Sequence, residues 1–372
     1  MLSDYGFNHK TVLGLLKEED SARLEELWQA ADATRKEFVG DAVHFRALIE
    51  ISNMCVRQCA YCGLRAGNSL LERYRMTVEE IIQCVRDADG LGIGTVVLQS
   101  AEDYGLSAEW IASIIRRIKS ETPMAVTLSL GERPESDLEM WREAGANRYF
   151  LRFETSDSVL YGKIHPLLPS RPVNRIEMLK VLKSMGYEAG SGVMIGIPGQ
   201  SYESLADDIL LFRELDLDMI GVGPWLPHPA TPLGSGGFIP ASPGVQVPNS
   251  ELMTYKTVAL TRLLCPESNI PATTALATVN TTGGYELGLR RGANVIMPNF
   301  TPYEYRRKYE IYPKKALLFD AKSNVEAVKA RVEAIGRVVG SGPGTRVKHP
   351  DLLPEMMLIT GGAQHEQFQR TD

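Results

Sequence analysis

Strand-like and helix-like segments alternate along this chain from residue 43 onward. The strand-like runs are short and apolar, and amphipathic segments separate them. There are eight such runs, at residues 43–51, 95–99, 125–130, 149–152, 193–197, 219–222, 272–276 and 295–297. Buried parallel strands are continuous apolar runs, and a closed barrel requires eight βα units. We therefore predict an α/β fold with a complete (β/α)8 TIM barrel. A doubly wound open sheet is the competing architecture, but no G-x-G-x-x-G sequence follows the first run.

Segments outside this alternation predict three divisions of the chain. Residues 1–40 carry apolar positions at helical spacing and predict an N-terminal helical extension packed on the barrel. The barrel is expected over residues 41–315, with a C-terminal extension, a helix and tail, over 316–372. Residues 227–248 are rich in Pro and Gly and predict a loop insertion, as a lid or a rim. The tail from residue 340 is expected to be exposed and partly flexible.

Composition limits the function classes. The chain has 372 residues, 23% of them charged and 44% apolar, as in an ordinary globular protein. A formal net charge of −6 argues against nucleic acid as a partner. No apolar run approaches the 18 residues of a membrane span, and no export signal is apparent at the N-terminus. Together with an odd count of five cysteines, these features favour a cytoplasmic location.

The first predicted strand leads into three cysteines at C-x3-C-x2-C spacing. These are Cys55, Cys59 and Cys62. Clustered thiolates suit zinc or an iron–sulfur cluster, because both bind soft, deprotonated sulfur. Structural zinc requires four ligands, and no second cysteine pair or nearby Cys-His partner is present in the sequence. Three ligands for a four-iron cluster would leave one iron open to a small molecule. Zinc and a fortuitous group of cysteines remain the alternatives.

Polar residues end several predicted strands. They include Gln99 and Ser100, Thr127 and Ser129, Arg152 and Glu154, Thr273 and Thr274, and Asn299 and Thr301. Barrel active sites lie at the carboxyl ends of the strands, so these side chains should converge on one cavity above the cysteines. Arg152 and Glu154 alternate along a strand and can both point inward. They either contact ligands or form an ion pair that holds the barrel together.

Other candidate residues carry weaker signals. Cys84 and Cys265 lie on apolar helix faces and are expected to be packing residues. His165 and His228 have no carboxylate or second His at ligand spacing, so neither is expected to be catalytic. Among the tyrosines after the eighth strand, Tyr309 and Tyr312 could serve either packing or substrate recognition.

The cysteine spacing, with Tyr61 before the last cysteine, resembles that of the radical S-adenosylmethionine (SAM) enzymes. The resemblance implies a [4Fe-4S] cluster held by Cys55, Cys59 and Cys62, with SAM chelated by the open iron. It also implies reductive cleavage of SAM to methionine and a 5′-deoxyadenosyl radical.

Within that superfamily, several further strings resemble HydE, the maturase of [FeFe]-hydrogenase. They lie at residues 62–65, 73–77, 97–100, 127–132, 223–229, 269–275 and 292–299. The match covers roughly residues 40–315, and HydE belongs to a wider group with biotin synthase and methylornithine synthase. Two departures stand out, because Phe153 replaces the usual His between Arg152 and Glu154, and Ala101 stands where Gly is usual.

The resemblance assigns roles to residues at matching positions. The residues that would contact SAM are Tyr61, Ser100, Glu154, Arg175 and Ile197. Those that would line the substrate cavity are Gln99, Thr127, Ser129, Arg152, Thr273, Thr274, Met297, Tyr309 and Tyr312. Catalysis is expected to need no side chain beyond the cluster and the SAM radical.

The implied substrate is small and anionic, a mononuclear iron complex with carbonyl, cyanide and cysteinate ligands used in hydrogenase active-site assembly. The implied partners are an electron donor such as ferredoxin or flavodoxin and the other hydrogenase maturases. The alternatives are a HydE-like paralogue with another small substrate, a mutase similar to methylornithine synthase, and a metal-binding scaffold without catalysis.

Overall fold

The structure is a computed structural model that describes residues 7–168, 173–237, 240–242, 244–313 and 321–349. Its strands are β1 (Ala42–Ser52), β2 (Thr95–Ser100), β3 (Ala125–Ser129), β4 (Arg148–Phe150), β5 (Glu188–Ile195), β6 (Met219–Pro224), β7 (Val295–Ile296) and β8 (Val338–Val339). Its helices are α1 (His9–Lys17), α2 (Ser21–Val39), α3 (Val78–Gly90), α4 (Ala108–Glu121), α5 (Glu135–Glu143), α6 (Ser158–Ile164), α7 (Arg175–Ser184), α8 (Tyr202–Glu214), α9 (Glu251–Leu264), α10 (Thr274–Val279), α11 (Gly284–Leu289), α12 (Tyr303–Arg306) and α13 (Ala321–Ala334).

The two N-terminal helices lie where the helical spacing predicted them. Asn8 and Asp20 cap α1 and α2, because their side-chain oxygens accept backbone N–H groups of the first turn. Leu16 and Leu27 are fully buried. Helix α1 packs on α8, and α2 packs on α9. The apolar stripes of both helices therefore join the main core.

The centre of the fold is a parallel sheet. Its strand order is β6-β5-β4-β3-β2-β1-β7, and β8 pairs with β1. Consecutive strands are neighbours from β1 to β6, as successive right-handed βα units require. Two single bridges connect the ends of the sheet, from Met219 of β6 to Asn269 and from Pro271 to Val295 of β7. Residues 269–272 therefore lie between β6 and β7.

The seventh predicted strand, at residues 272–276, is wrong. Helix α10 begins at Thr274, and Thr273 is its N-cap, with its hydroxyl accepting the backbone N–H of Leu276. A Thr at this position satisfies a free amide of the first helical turn, and this outweighs its preference for strands. The extended segment lies just before it, where Ala272 donates its backbone N–H to Val295.

Residues 340–349, which we call the C-terminal strap, cross the amino ends of the strands. The carbonyl of Pro343 accepts hydrogen bonds from Thr95 of β2 and Arg148 of β4. The carbonyl of Gly344 accepts from Arg46 of β1. Most of these residues are exposed, as expected, but hydrogen bonds to the carbonyls of Pro343 and Gly344 hold the strap against the sheet. The expected flexibility stays a prediction, and residues 350–372 lie outside the described residues.

The far end of the strap is fixed by charge. Arg346 lies within 3.2 Å of Asp216, Asp218 and Glu267. Asp218 and Glu267 are buried, and the side chain of Arg346 is only 9% exposed. Lys348 pairs with the same Asp216 from the surface, at 2.7 Å. The strap thus joins β1, β2 and β4 to the segment that precedes β6.

The described part of the Pro/Gly-rich insertion reaches the cysteine loop. Leu233 donates its backbone N–H to the carbonyl of Ala60. Gln246 pairs with Ser201 in a single antiparallel bridge. These contacts place the insertion on the rim above the sheet. None of the described helices is both long enough and apolar enough to cross a membrane.

Candidate functional site

A cavity of about 370 Å³ lies at the carboxyl ends of the strands. Residues from β1 to β7 and from the loops that follow them line it. Of the predicted site residues, it brings together Cys55, Cys59, Tyr61, Cys62, Gln99, Ser100, Thr127, Ser129, Arg152, Glu154, Arg175, Thr273, Thr274, Met297, Tyr309 and Tyr312. The convergence expected from the strand ends is therefore present for these residues. It is wrong for Asn299 and Thr301, which do not line the cavity, because Asn299 donates to the Glu50 carboxylate and the Thr301 hydroxyl accepts the backbone N–H of Glu50.

Backbone hydrogen bonds fix the cysteine loop that follows β1. Val56 donates its backbone N–H to Glu102, Ala60 donates to Ile164, and Gly63 donates to Ile311, over 2.8 to 3.1 Å. Glu102 follows β2, Ile164 is the last residue of α6, and Ile311 follows α12. The loop is thus tied to three separate segments and is preorganised before any ligand binds.

The three cysteines are free thiols. Burial raises the pKa of Cys55, and it raises the pKa of Cys59 well above its ordinary value, assisted by the neighbouring Cys62 and Cys55. Such thiols stay protonated at neutral pH until a metal replaces the proton. The loop therefore provides one buried and two half-buried thiols that suit a metal centre.

The cysteine geometry favours a cluster over a single ion. Among the described residues, no group of three or more His, Cys, Asp or Glu side chains is arranged around one ion position. Structural zinc draws its ligands to about 2.3 Å from one point. A four-iron cluster instead takes each thiolate on a different iron, so three separated thiols on one cavity wall fit it.

A buried ion network lies beside the cysteines. Arg57 donates to Glu102 from Nε, at 2.7 Å, and to Glu132 from its terminal nitrogen. Arg175 donates to Glu132 at 2.8 Å and lies 3.5 Å from Glu102. These four side chains are all nearly inaccessible to solvent. Buried charges persist only when they are paired, and two guanidinium groups here balance two carboxylates.

His165 joins this network to the cysteines. Its Nδ1 lies 3.1 Å from Cys59 Sγ, and its Nε2 lies 3.3 Å from Glu132 Oε1. Burial, and then the charge of Arg175, lower the pKa of His165 to about 4 despite Glu132. Burial opposes ionisation of Glu132, yet His165 and Arg175 lower the pKa of that carboxyl to about 2. The ring is thus neutral beside an ionised carboxylate.

Arg152 and Glu154 leave polar atoms for a ligand. Their Nε and Oε2 atoms lie 3.2 Å apart, but neither atom has a hydrogen-bond partner. The Thr127 hydroxyl on the same cavity wall is also buried without a partner. Buried polar atoms are nearly always hydrogen-bonded, so these three indicate where polar groups of a ligand would bind. The ion pair between Arg152 and Glu154 that was predicted as the alternative is present. It leaves Arg152 Nε and Glu154 Oε2 without a hydrogen bond.

The backbone at Glu154 supports a functional role for this residue. Its φ is +65°, a left-handed conformation that few residues other than Gly adopt. Asp208 of α8 holds the following turn, because its Oδ1 accepts both the backbone N–H and the hydroxyl of Ser156, at 2.5 and 2.6 Å. Strain of this kind is found at sites where the surrounding structure fixes a side chain for function.

The remaining predicted residues differ in how they meet the cavity. Gln99 donates to the Tyr309 hydroxyl at 3.3 Å, so these two form a pair on the wall. Ser100 donates to the carbonyl of Ala101. Ile197 does not line the cavity and packs in a second apolar cluster, against which Tyr61 packs. Its contact with SAM stays a prediction.

Phe153 points away from the site. Its ring packs 5.7 Å from that of Phe212 on α8, inside the main core. The replacement of the usual His at this position therefore lies in the packing between β4 and α8 and leaves the cavity wall unchanged.

Sequence reasoning missed Arg57, Glu102, Glu132 and His165 as members of the site. Glu102 and Glu132 lie within three residues of the ends of β2 and β3, so their position near strand ends was a usable signal. His165 is the C-cap of α6 and lies near no strand end. Only the folded position of α6 brings it to Cys59.

The sequence of this chain is similar to those of known proteins. The family model of the radical SAM superfamily matches residues 49–212. The chain is 45% identical over 344 residues to the [FeFe] hydrogenase maturase subunit HydE of Thermotoga maritima, covering 91% of this chain and 94% of that protein. The residues matched by the family model include all three cysteines of the loop.

Two solved structures are also similar. The crystal structure of methylornithine synthase superposes with a TM-score of 0.76 at 26% identity, covering 91% of this chain and 97% of that one. The crystal structure of HydG, a maturase of the [FeFe]-hydrogenase, superposes with a TM-score of 0.73 at 20% identity, covering 90% and 73%. The second likeness is one of fold.

Proposed function

Because this chain belongs to the HydE family of radical SAM enzymes, we propose that it acts on a small anionic iron–cysteinate substrate during assembly of the [FeFe]-hydrogenase active site. Its cofactors are those of the family, a [4Fe-4S] cluster and SAM. When bound, the cluster supplies the electron that cleaves SAM to methionine and a 5′-deoxyadenosyl radical.

Cys55, Cys59 and Cys62 would hold the cluster. All three are free thiols on one wall of the cavity, and the loop that carries them is fixed by backbone hydrogen bonds. When a metal displaces their protons, the bond from sulfur to the metal compensates the penalty that burial places on a free thiolate. The three cysteines are thus neutral thiols before metal binding and can serve as thiolate ligands after it.

The SAM contacts are proposed at the same end of the cavity. Glu154 presents an unpartnered carboxylate oxygen, which can accept hydrogen bonds from amino or hydroxyl groups. Arg175 donates to the carbonyl of Arg152 at 2.8 Å, so it also fixes the main chain just before Glu154. Tyr61, Ser100 and Ile197 are proposed as the further contacts.

The observation that carries the substrate class is the pair of unpartnered donors facing one space, Thr127 Oγ1 and Arg152 Nε. Ser129, Thr273, Thr274 and Gln99 add donors to the same cavity. Hydrogen bonds from a guanidinium to an anion are about twice as strong as neutral ones. A compact anion with several acceptor groups therefore fits this wall better than an apolar molecule would.

Residues from β1 to β7 line the cavity, so the sheet surrounds it. We propose that the parallel strands close into a complete (β/α)8 barrel. The two single bridges at residues 269 and 271 support this, because they connect β6 to β7 through backbone contacts. The proposal divides the chain into an N-terminal extension over 1–40, the barrel over 41–315 and a C-terminal helix and tail over 316–372.

The test is anaerobic iron reconstitution followed by reduction with SAM, measuring 5′-deoxyadenosine with and without the iron–cysteinate complex. We expect deoxyadenosine formation that depends on the complex. Cleavage that is indifferent to the complex would favour a paralogue with another substrate. Formation of methylornithine would favour the mutase, and no cleavage at all would favour a metal-binding scaffold.

The partners follow from the same chemistry. Reductive cleavage requires a one-electron donor, and we propose a ferredoxin or flavodoxin. Other hydrogenase maturases are proposed to supply the substrate and receive the product. We also propose a cytoplasmic location, where a reducing environment protects the thiols.

A further inference from the structure

His165 contacts Cys59 on the wall of the cavity. Its ring is buried, and Nδ1 lies 3.1 Å from Cys59 Sγ. The residue before it, Ile164, accepts the backbone N–H of Ala60 at 2.8 Å. Side chain and main chain therefore hold the same point of the cysteine loop, on both sides of the Cys59–Ala60 peptide.

The opposite edge of the ring is also fixed. Nε2 faces Glu132 Oε1 at 3.3 Å, and Glu132 is held by Arg57 and Arg175. The ring of Tyr161 packs against the imidazole, with centroids 5.1 Å apart. A side chain fixed in this way cannot rotate away from the sulfur. Positioning of this precision is costly unless the contact serves the site.

We propose that His165 is a positioning residue for the iron–sulfur cluster, whose Nδ1–H donates a hydrogen bond to Cys59 Sγ and raises the reduction potential of the cluster. The inference rests on the proposed role of Cys59 as a cluster ligand.

The chemistry of the ligand determines the direction of the hydrogen bond. A thiolate bound to iron has no proton and can only accept, so the proton of the imidazole belongs on Nδ1. Before a metal binds, the single proton of the neutral ring lies on Nε2 toward Glu132, at 3.3 Å. When it moves to Nδ1, Arg57 and Arg175 still donate to Glu132 and keep that carboxylate compensated. Hydrogen bonds to cluster sulfurs are one of the factors that set reduction potentials. A donor stabilises the added electron, so it favours the reduced form.

Two variants separate this hydrogen bond from a structural role. The side-chain nitrogen of Asn occupies the position of Nδ1, at the same number of bonds from Cα, whereas that of Gln occupies the position of Nε2. His165→Asn should retain the donor to Cys59. His165→Gln should retain the contact with Glu132 and lose the donor.

The measurement is a redox titration of the reconstituted cluster without SAM, followed by electron paramagnetic resonance, with iron content measured in parallel. We expect His165→Gln to shift the potential to more negative values while His165→Asn stays close to the unmodified protein. Equal potentials in both variants at full iron content would overturn the proposal. Equal loss of iron from both would also overturn it, because it would mark a purely structural role.

If either variant fails to fold, the hydrogen bond from His165 to Cys59 can be detected in the unmodified protein. With 15N-labelled histidine, pulsed electron paramagnetic resonance of the reduced cluster should detect an exchangeable proton and a histidine nitrogen, each coupled to the electron spin of the cluster. Absence of both signals would overturn the proposal. Cys59→Ser distinguishes the role of Cys59 as a cluster ligand from the role of His165. A cluster unchanged in Cys59→Ser would refute the ligand assignment, whereas unchanged potentials with Cys59 required would refute only the role of His165.

Discussion

The Nε atom of Arg152 lies 3.2 Å from Oε2 of Glu154, and neither atom has a hydrogen-bond partner. The terminal nitrogen of Arg152 donates to the carbonyl of Val193 on β5. One end of the guanidinium is thus anchored to the sheet while its other edge faces the cavity. The terminal nitrogen of Arg152 thus holds the side chain in place, while its Nε remains available to a ligand.

Arg152→Gln should weaken substrate use and leave cluster assembly intact. Loss of a charged donor to an anion costs about 1.5 to 3 kcal/mol, which corresponds to about a tenfold or larger rise in the substrate concentration needed. The measurement is deoxyadenosine formation against the concentration of the iron–cysteinate complex, with iron content as the second readout. Arg116→Gln on α4, at an exposed position, is the matched control. Loss of iron from Arg152→Gln would show instead that the ion pair serves the structure.

Cys59→Ser should abolish SAM cleavage, because a hydroxyl does not replace a thiolate as a ligand of the cluster. Cys84→Ser provides a stringent control, since Cys84 on α3 is also a buried thiol whose pKa burial raises, to about 12. We expect Cys84→Ser to keep its iron and its activity. Iron content and deoxyadenosine are measured on both variants, and activity retained in Cys59→Ser would contradict the cluster assignment.

Asp208 should make stability depend on pH between about 4 and about 7. Burial raises its pKa from 3.8 to about 7, against the hydrogen bonds from Ser156, so the folded state keeps a proton that the unfolded state releases. The resulting stability is complete below pH 3.8 and declines as pH rises to about 7. Asp208→Asn keeps an acceptor for Ser156 without the charge, so it should remove that decline.

The size of this effect is at most about 4 kcal/mol, from about 1.4 kcal/mol for each pKa unit. The measurement is the anaerobic thermal midpoint at several pH values from 5 to 8. Asp207→Asn is the control, because Asp207 is the exposed neighbour on the same helix and pairs with His9 at the surface. If both variants follow the unmodified protein at every pH, the proton on Asp208 has no role in stability.

Arg346→Gln should destabilise the protein by about 3 kcal/mol, because it leaves buried carboxylates without their cation. Lys348→Gln removes a cation that shares the partner Asp216 but is 59% exposed. Exposed pairs contribute about 0 to 1 kcal/mol, so this control should change little. Denaturant unfolding of the two variants compares them directly, and equal effects would mean that the strap adds no stability through its buried charge.

The sequence predicted the alternation of strands and helices and the grouping of strand-end residues, because both follow from short-range apolar patterns. It placed Thr273 and Thr274 in a strand, since β-branched residues favour strands and the capping geometry of Thr273 depends on where the chain turns. The strap escaped prediction for another reason. Pro343 and Gly344 are held by side chains about 200 to 300 residues away, through carbonyl oxygens that every residue carries.

The strap also gives the cavity a direction. It covers the amino ends of β1, β2 and β4, directly beneath Arg46, while the cysteines lie at the opposite end of the same cavity. We therefore expect a molecule that binds near Arg46 to enter at the cysteine end before SAM binds there. We also expect it to leave only after the products of SAM cleavage have left.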